Sequence, residues 1–301
     1  MLKQLIICLL LFASGNGKAQ YYSAVTNSET GPVEVRTEYY HGNRIFSAHN
    51  NAKFPVYLHL YFKEISKLSF REKEPYVKLL QPGFNELFTL ENYSERGQPP
   101  FEYTIKYYPS NPLAEVDLDF PYLFPFEEET TVVPKKVKSI DNFLTKYKTA
   151  GWSANGFYTL AGQVVCASRT GIVVEILTER EEDIIVPNHK RTSQITLLHA
   201  NGTLACYLNV SATKSGLELN QKIYAGEGFA EIVSGADELI VLFYKNQLLS
   251  EELDFLVPKF QIDETEVKPV IYEKEYVVVH PVSVKVLELT KKEQRILRKL
   301  K

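Results

Sequence analysis

The chain has 301 residues, 34 basic and 37 acidic, with a formal net charge of −3. That near-balance gives no support to nucleic-acid binding, and three cysteines are too few for a disulfide-stapled scaffold. The length suggests two domains with room for a core in each.

Met1 to Ala19 reads as a secretory signal. Lys3 supplies a short positive start, Leu5 to Ala13 an apolar run, and Gly17-Lys18-Ala19 small residues ahead of a cleavage point before Gln20. The run is too short to span a bilayer, which takes about 20 residues, and Ile7 before Cys8 argues against a lipoprotein site. No later stretch is apolar and long enough to cross a membrane, so the expectation is export to a periplasmic or extracellular location. Of the cysteines after the signal, Cys166 and Cys206 stand on predicted strands of one sheet system. They are compatible with one disulfide or with two buried thiols.

Residues 21–126 predict a β-sandwich of immunoglobulin-like size. Val33, Val35 and Thr37 alternate with charged residues, Val56 to Phe62 repeats the period, and Tyr103, Ile105 and Tyr107 follow it. Turn signals stand at Asn50-Asn51, at Gln81 to Gly83 and at Gly97 to Pro100. Tyr39-Tyr40 and Tyr107-Tyr108 read as half-buried strand residues with hydroxyls in water rather than sugar platforms. His41, His49 and His59 read as surface or strand residues, because no two histidines have a metal-pair spacing of i, i+2 or i, i+4.

Residues 127–150 are a charge-rich connector in which Ser139 can cap a short helix. From Gly162 to Tyr244 short β-branched blocks are divided by Thr170-Gly171, Asn201-Gly202 and Ser234-Gly235, which predicts a compact antiparallel β unit. Glu179 to Arg191 is a charged loop, and His199 packs at a strand end beside the Asn201-Gly202 turn. Residues 247–301 continue with Phe255 to Ile262, a strand that returns toward the first domain. Tyr276 to Leu287 is strongly β in character, and a basic helix from Lys291 to Lys301 is capped by Thr290.

The pieces Val164 to Ile176, His199-Ala-Asn-Gly-Thr203, Tyr207-Leu-Asn-Val210, Leu219 to Gly226 and Leu239 to Phe243 come in one order. That order resembles the lysostaphin-type (LytM) zinc metallopeptidase domain, over roughly Gly151 to Tyr244. The run Asp117 to Phe126 likewise resembles the junction before such a domain in exported proteins of Bacteroidetes type. The family's zinc ligands sit in H-x-x-x-D and H-x-H motifs, with a further histidine in Tyr-x-His-Leu. Carried over, the aspartate falls at or near Gly156, the preceding histidine near Trp152, the Tyr-x-His histidine at Asn209, and the H-x-H at Ile240 and Leu242. Glycine, isoleucine and leucine have no atom that can donate to zinc, and a neutral amide is a poor substitute for imidazole.

The resemblance therefore implies a mostly β, two-domain exported chain: an N-terminal immunoglobulin-like sandwich, a degenerate peptidase-like antiparallel β domain over residues 151–246, and a short C-terminal helix. No catalytic residue, metal ligand or cofactor is expected, and Gly156, Asn209, Ile240 and Leu242 line the former groove. The implied role is binding of peptidoglycan or regulation of a cell-wall hydrolase. Two further readings stand beside it. One is an active metalloendopeptidase with ligands drawn from His189, His199 and Asp141 or Asp237, and the other is a structural envelope assembly protein.

Overall fold

Period-two patterning does build the first half of the chain. In a computed structural model that describes residues 24–25, 32–94, 99–140, 151–178, 193–212, 216–250 and 252–299, two four-stranded sheets face each other. One runs Ala24–Val25, Phe101–Tyr108, Val56–Ile65, Tyr76–Leu80, and the other Val33–Tyr40, Asn43–Asn50, Gly83–Asn92, Leu68–Ser69. Phe46, Leu58, Leu60, Leu80, Leu90 and Ile105 form the core between them. Apolar side chains alternating on inward positions are what such a two-layer core requires. The expected signal segment, the loop 179–191 and the connector beyond residue 140 lie outside the described residues.

The second half is organised on a large sheet. Its order is Pro134–Lys135, Asn155–Tyr158, Glu238–Asn246, Leu204–Leu208, Gln194–His199, Gly171–Leu177, Lys222–Ile223, and Leu253–Leu256 adds to the long Glu238–Asn246 strand. The central strands are buried on both faces, which explains why Leu204–Leu208 and Leu239–Tyr244 read as unbroken apolar runs. Ala205, Tyr207, Val241 and Phe243 point into one core with Phe124, Phe157, Phe229 and Phe260. That core is closed by a small sheet of Val164–Cys166, Gly228–Ile232 and Val210–Ser211. Leu204, Cys206, Leu208, Ile240 and Leu242 point to the opposite face.

Tyr57, His59 and Tyr108 lie on the outer side of the sandwich, and Tyr57 and Tyr108 join the cluster on that opposite face. This is why Val56 to Leu60 shows no alternation in burial. The Tyr108 hydroxyl accepts from the Leu249 amide at 2.9 Å, so this tyrosine does not place its hydroxyl in water as expected, whereas Tyr39 and Tyr40 are exposed. Asn246 and Ser110 are joined by two buried hydrogen bonds of 2.7 Å, and Lys245 donates to the carbonyls of Pro112 and Ala114.

The last third of the chain corrects two expectations. Phe255 to Ile262 is not one strand: Leu253–Leu256 stays in the large sheet, and Lys259–Gln261 pairs in parallel with Pro121–Tyr122. Of the run from Tyr276 to Leu287, Tyr276–Val277 is a strand, pairing with Thr131–Val132, while Val282–Lys285 forms a short helix. Pro281 precedes that helix, and Val284 packs against Leu123 and Ala225, so tertiary contact overrides the β preference of valine. The final helix spans Lys291–Lys299 with a reciprocal cap. The Glu293 carboxylate accepts from the Thr290 amide and hydroxyl, and the Glu293 amide donates to Thr290 Oγ1. Hydrogen bonds from Lys222 and Thr290 hold the Glu293 carboxyl at about 2.

Among the described residues no helix is long and apolar enough to cross a membrane. Cys166 and Cys206 are buried thiols and are not joined in a disulfide, and burial pushes Cys166 up to about 12.

Candidate functional site

The sheet register places three of the four substituted positions together. Gly156 is paired with Ile240, Ile240 with Leu208, and Leu242 with Cys206. Ile240 and Leu242, two residues apart on one strand, share a face. That face is not an open groove. Val137, Ile140 and Ala154 pack on it from one side, and Tyr57 and Tyr108 of the sandwich from another. A Cβ added at Gly156 would lie 2.9 Å from Lys135 Cγ and 3.0 Å from Val137 Cγ2, so the connector already occupies the space a larger side chain would need.

Asn209 has a different job. It follows the strand Leu204–Leu208 with φ of 66°, a left-handed conformation that asparagine tolerates better than most residues. Its side-chain amide donates to the Glu238 carbonyl at 2.9 Å, its backbone amide to Ser193, and its carbonyl accepts from Val233. The residue turns the chain from the large sheet into the small one.

These residues do not fit a zinc ion. Gly156, Ile240 and Leu242 offer no donor atom, and the face around them is apolar. The alternative ligand set is not assembled either. His199 sits at the end of its strand near Leu204 and Tyr244, and Asp237 precedes the opposite end of the Glu238–Asn246 strand. At the strand rise the two are about 20 Å apart. His189 and Asp141 lie outside the described residues. Among the described residues no group of three or more His, Cys, Asp or Glu is placed to hold a metal ion.

No family model matches the chain, and no curated protein matches it. Among solved structures, Helicobacter pylori Csd3 in its orthorhombic crystal is similar at 13% identity and a TM-score of 0.30, over 86% of this chain and 56% of that one. The hexagonal crystal gives 14% identity and a TM-score of 0.31, over 86% and 55%. This chain thus spans about half the length of Csd3, and no family or activity follows from a likeness at that level.

One polar feature was not singled out in the sequence. Arg169 is buried in the run Ala167 to Gly171 and grips Glu288 from the C-terminal segment, with Nη2 to Oε1 at 2.6 Å and Nε to both carboxylate oxygens at 3.0 Å. Its guanidinium lies 3.7 Å from the centre of the Phe120 ring. The available signal was an arginine in the short polar stretch Ser168 to Thr170 between the apolar blocks Val164 to Ala167 and Ile172 to Val174. Trp152, the one tryptophan of the chain and the position near which the resemblance places a ligand histidine, is exposed between two surface clefts.

Among the described residues three buried histidines set the expected pH response. His59 has no hydrogen-bond partner on either ring nitrogen among the described residues, and burial, with Lys106 nearby, holds it below its ordinary value. His199 bonds Thr203 Oγ1 through Nδ1 at 3.0 Å, and burial, then Arg169, holds it well below. His280 is lowered by burial despite its bond to the Phe124 carbonyl. A depressed imidazole binds its proton more readily in the unfolded chain. Stability is therefore full above the unfolded value of about 6.5 and falls as the pH drops below it toward the folded values. Urea midpoints measured at pH 7.5 and pH 5 are expected to fall on acidification. His59→Phe removes one such proton, so its midpoint changes less than that of the parent; an unchanged pH slope would show that His59 is protonated in the fold.

Proposed function

We propose that this chain is a non-catalytic protein of the cell envelope that binds peptidoglycan through its surface rather than cutting it. The observation that carries the reading is the face bearing Gly156, Ile240 and Leu242. The motif order resembles that of a zinc peptidase domain, and at the positions where such enzymes hold zinc this chain has no donor and packs its own connector and sandwich. A catalytic zinc would need three protein ligands and an open position for water, and neither requirement has residues to meet it here. Regulation of a hydrolase follows naturally from a wall-bound protein that does not itself hydrolyse.

The test uses purified protein beginning at Gln20. Elemental analysis and zinc titration are expected to give no stoichiometric zinc, and the protein is expected to sediment with purified peptidoglycan sacculi without releasing soluble fragments. Chelator-sensitive release of fragments would establish the metalloendopeptidase reading instead. Protein left in the supernatant, with a protein partner recovered from the envelope, would establish the assembly reading.

A further inference from the structure

Residues 151–154 lead into the strand Asn155–Tyr158 of the large sheet, and Trp152 among them has 38% of its surface exposed. Trp152 forms a ridge shared by two clefts of about 480 and 620 Å³. The larger is lined by Lys136, Lys138 and Tyr272 together with the buried Val137 and Ala154. Tyr272 is 43% exposed, so a second aromatic ring is available. The smaller cleft holds Gln247, Glu252 and Asp254 beside Trp152. There Gln247 Nε2 donates to Asp254 Oδ1 at 2.7 Å, which orients that carboxylate.

We propose that the paired clefts astride Trp152 are a binding site for an oligosaccharide that carries a carboxylate. Sugar rings present flat C–H faces and polar edges. An exposed indole offers an apolar plane for such a face, with a polar tip that remains wet. Carboxylates such as Glu252 and Asp254 are acceptors only, and they suit the hydroxyl donors of a sugar edge. Ammonium groups on Lys136 and Lys138 suit an anion in the larger cleft. Trp152 lines both clefts, Glu252 and Asp254 line the smaller and Lys136 and Lys138 the larger, which suits an occupant that stacks on the ring and carries unlike substituents at its two edges. The volumes are of ordinary ligand-site size.

This inference rests on the envelope-binding reading and names the part of the wall polymer that is held. Because Trp152 is the single tryptophan, its fluorescence reports this site alone. The probes are glycan strands stripped of their peptides, which keep their carboxylates, the isolated stem peptides, and neutral N-acetylglucosamine oligomers. The stripped glycan is expected to change the emission saturably, and the other two are not. Trp152→Ala is expected to weaken glycan binding about tenfold by calorimetry, a loss of about 1.4 kcal/mol, whereas Trp152→Phe retains most of it. K136E/K138E is expected to weaken it by a similar factor and to remove its salt dependence. Equal response to the neutral oligomers, or response to the peptides alone, overturns the assignment. If whole sacculi still capture the protein while no probe perturbs Trp152, the site falls and the envelope reading stands. If sacculi also fail, both fall. Unchanged unfolding midpoints for the lysine variants keep a loss of binding from being a loss of fold.

Discussion

Glu288→Ala is expected to destabilise the protein by about 3–5 kcal/mol, because it leaves the Arg169 guanidinium buried and unpaired. The arginine side chain is 5% exposed and the glutamate 13%, so water cannot replace the lost carboxylate. The fork of hydrogen bonds to both carboxylate oxygens makes this a directional contact, and Tyr122 adds a further acceptor for Nη1 at 3.4 Å. Replacing both partners with apolar residues of similar volume, Arg169→Met with Glu288→Leu, is expected to recover most of the loss, since desolvation of two charges largely offsets their attraction. A urea double-mutant cycle measures this directly. A Glu288→Ala loss below about 1 kcal/mol, the level of a surface pair, would show that the C-terminal segment is not clamped there.

Gly156→Asp, which supplies the carboxylate that the resemblance lacks, is expected to cost about 3 kcal/mol or more and to confer no zinc binding. The first atom of the new side chain already meets Lys135 Cγ, the Lys135 carbonyl at 3.0 Å and Val137 Cγ2. The carboxylate beyond it would be wedged between the Lys135 stem, whose ammonium is already paired with Glu238, and the apolar cluster around Ile240. Gly156→Ala isolates the steric part and is expected to cost about 1–3 kcal/mol. Thermal unfolding and elemental analysis of the two variants separate the effects. A Gly156→Asp protein as stable as its parent would mean that the connector lifts away from this face without cost.

What could be read in the sequence was decided by how many faces each strand buries. Val33–Tyr40 alternates because one side meets water, and period two exposes it at once. Glu238–Asn246 is apolar at both parities, so its strand character was plain while its two different neighbours were not. That even-numbered side chains from Ile240 to Tyr244 would meet a connector and a sandwich more than 90 residues upstream is a matter of packing between distant segments, which no local pattern encodes. Val282–Lys285 went wrong for a related reason: four residues rich in valine look like a strand until Leu123 and Ala225 provide a surface for a helical turn. Asn209 shows the same limit at a candidate site. Read as a degenerate ligand position, it has a structural duty of its own, a positive φ and an amide bonded to Glu238.

The C-terminal segment meets partners made much earlier in synthesis: Phe260 pairs with Tyr122, Tyr276 with Val132, and Glu288 with Arg169. The sandwich strands from Val33 to Tyr108 find all their neighbours within the first part of the chain, apart from the faces turned toward the large sheet. Emerging from a ribosome, the first unit therefore has its own core complete while the second waits, its aromatic core open at Phe124 and Phe157 until Phe260 and Tyr276 arrive. A nascent chain halted near residue 250 would carry a finished sandwich and an exposed apolar sheet, a natural client for a chaperone. Arrival of Phe260, Tyr276 and Glu288, rather than formation of the long strands, then closes the second core.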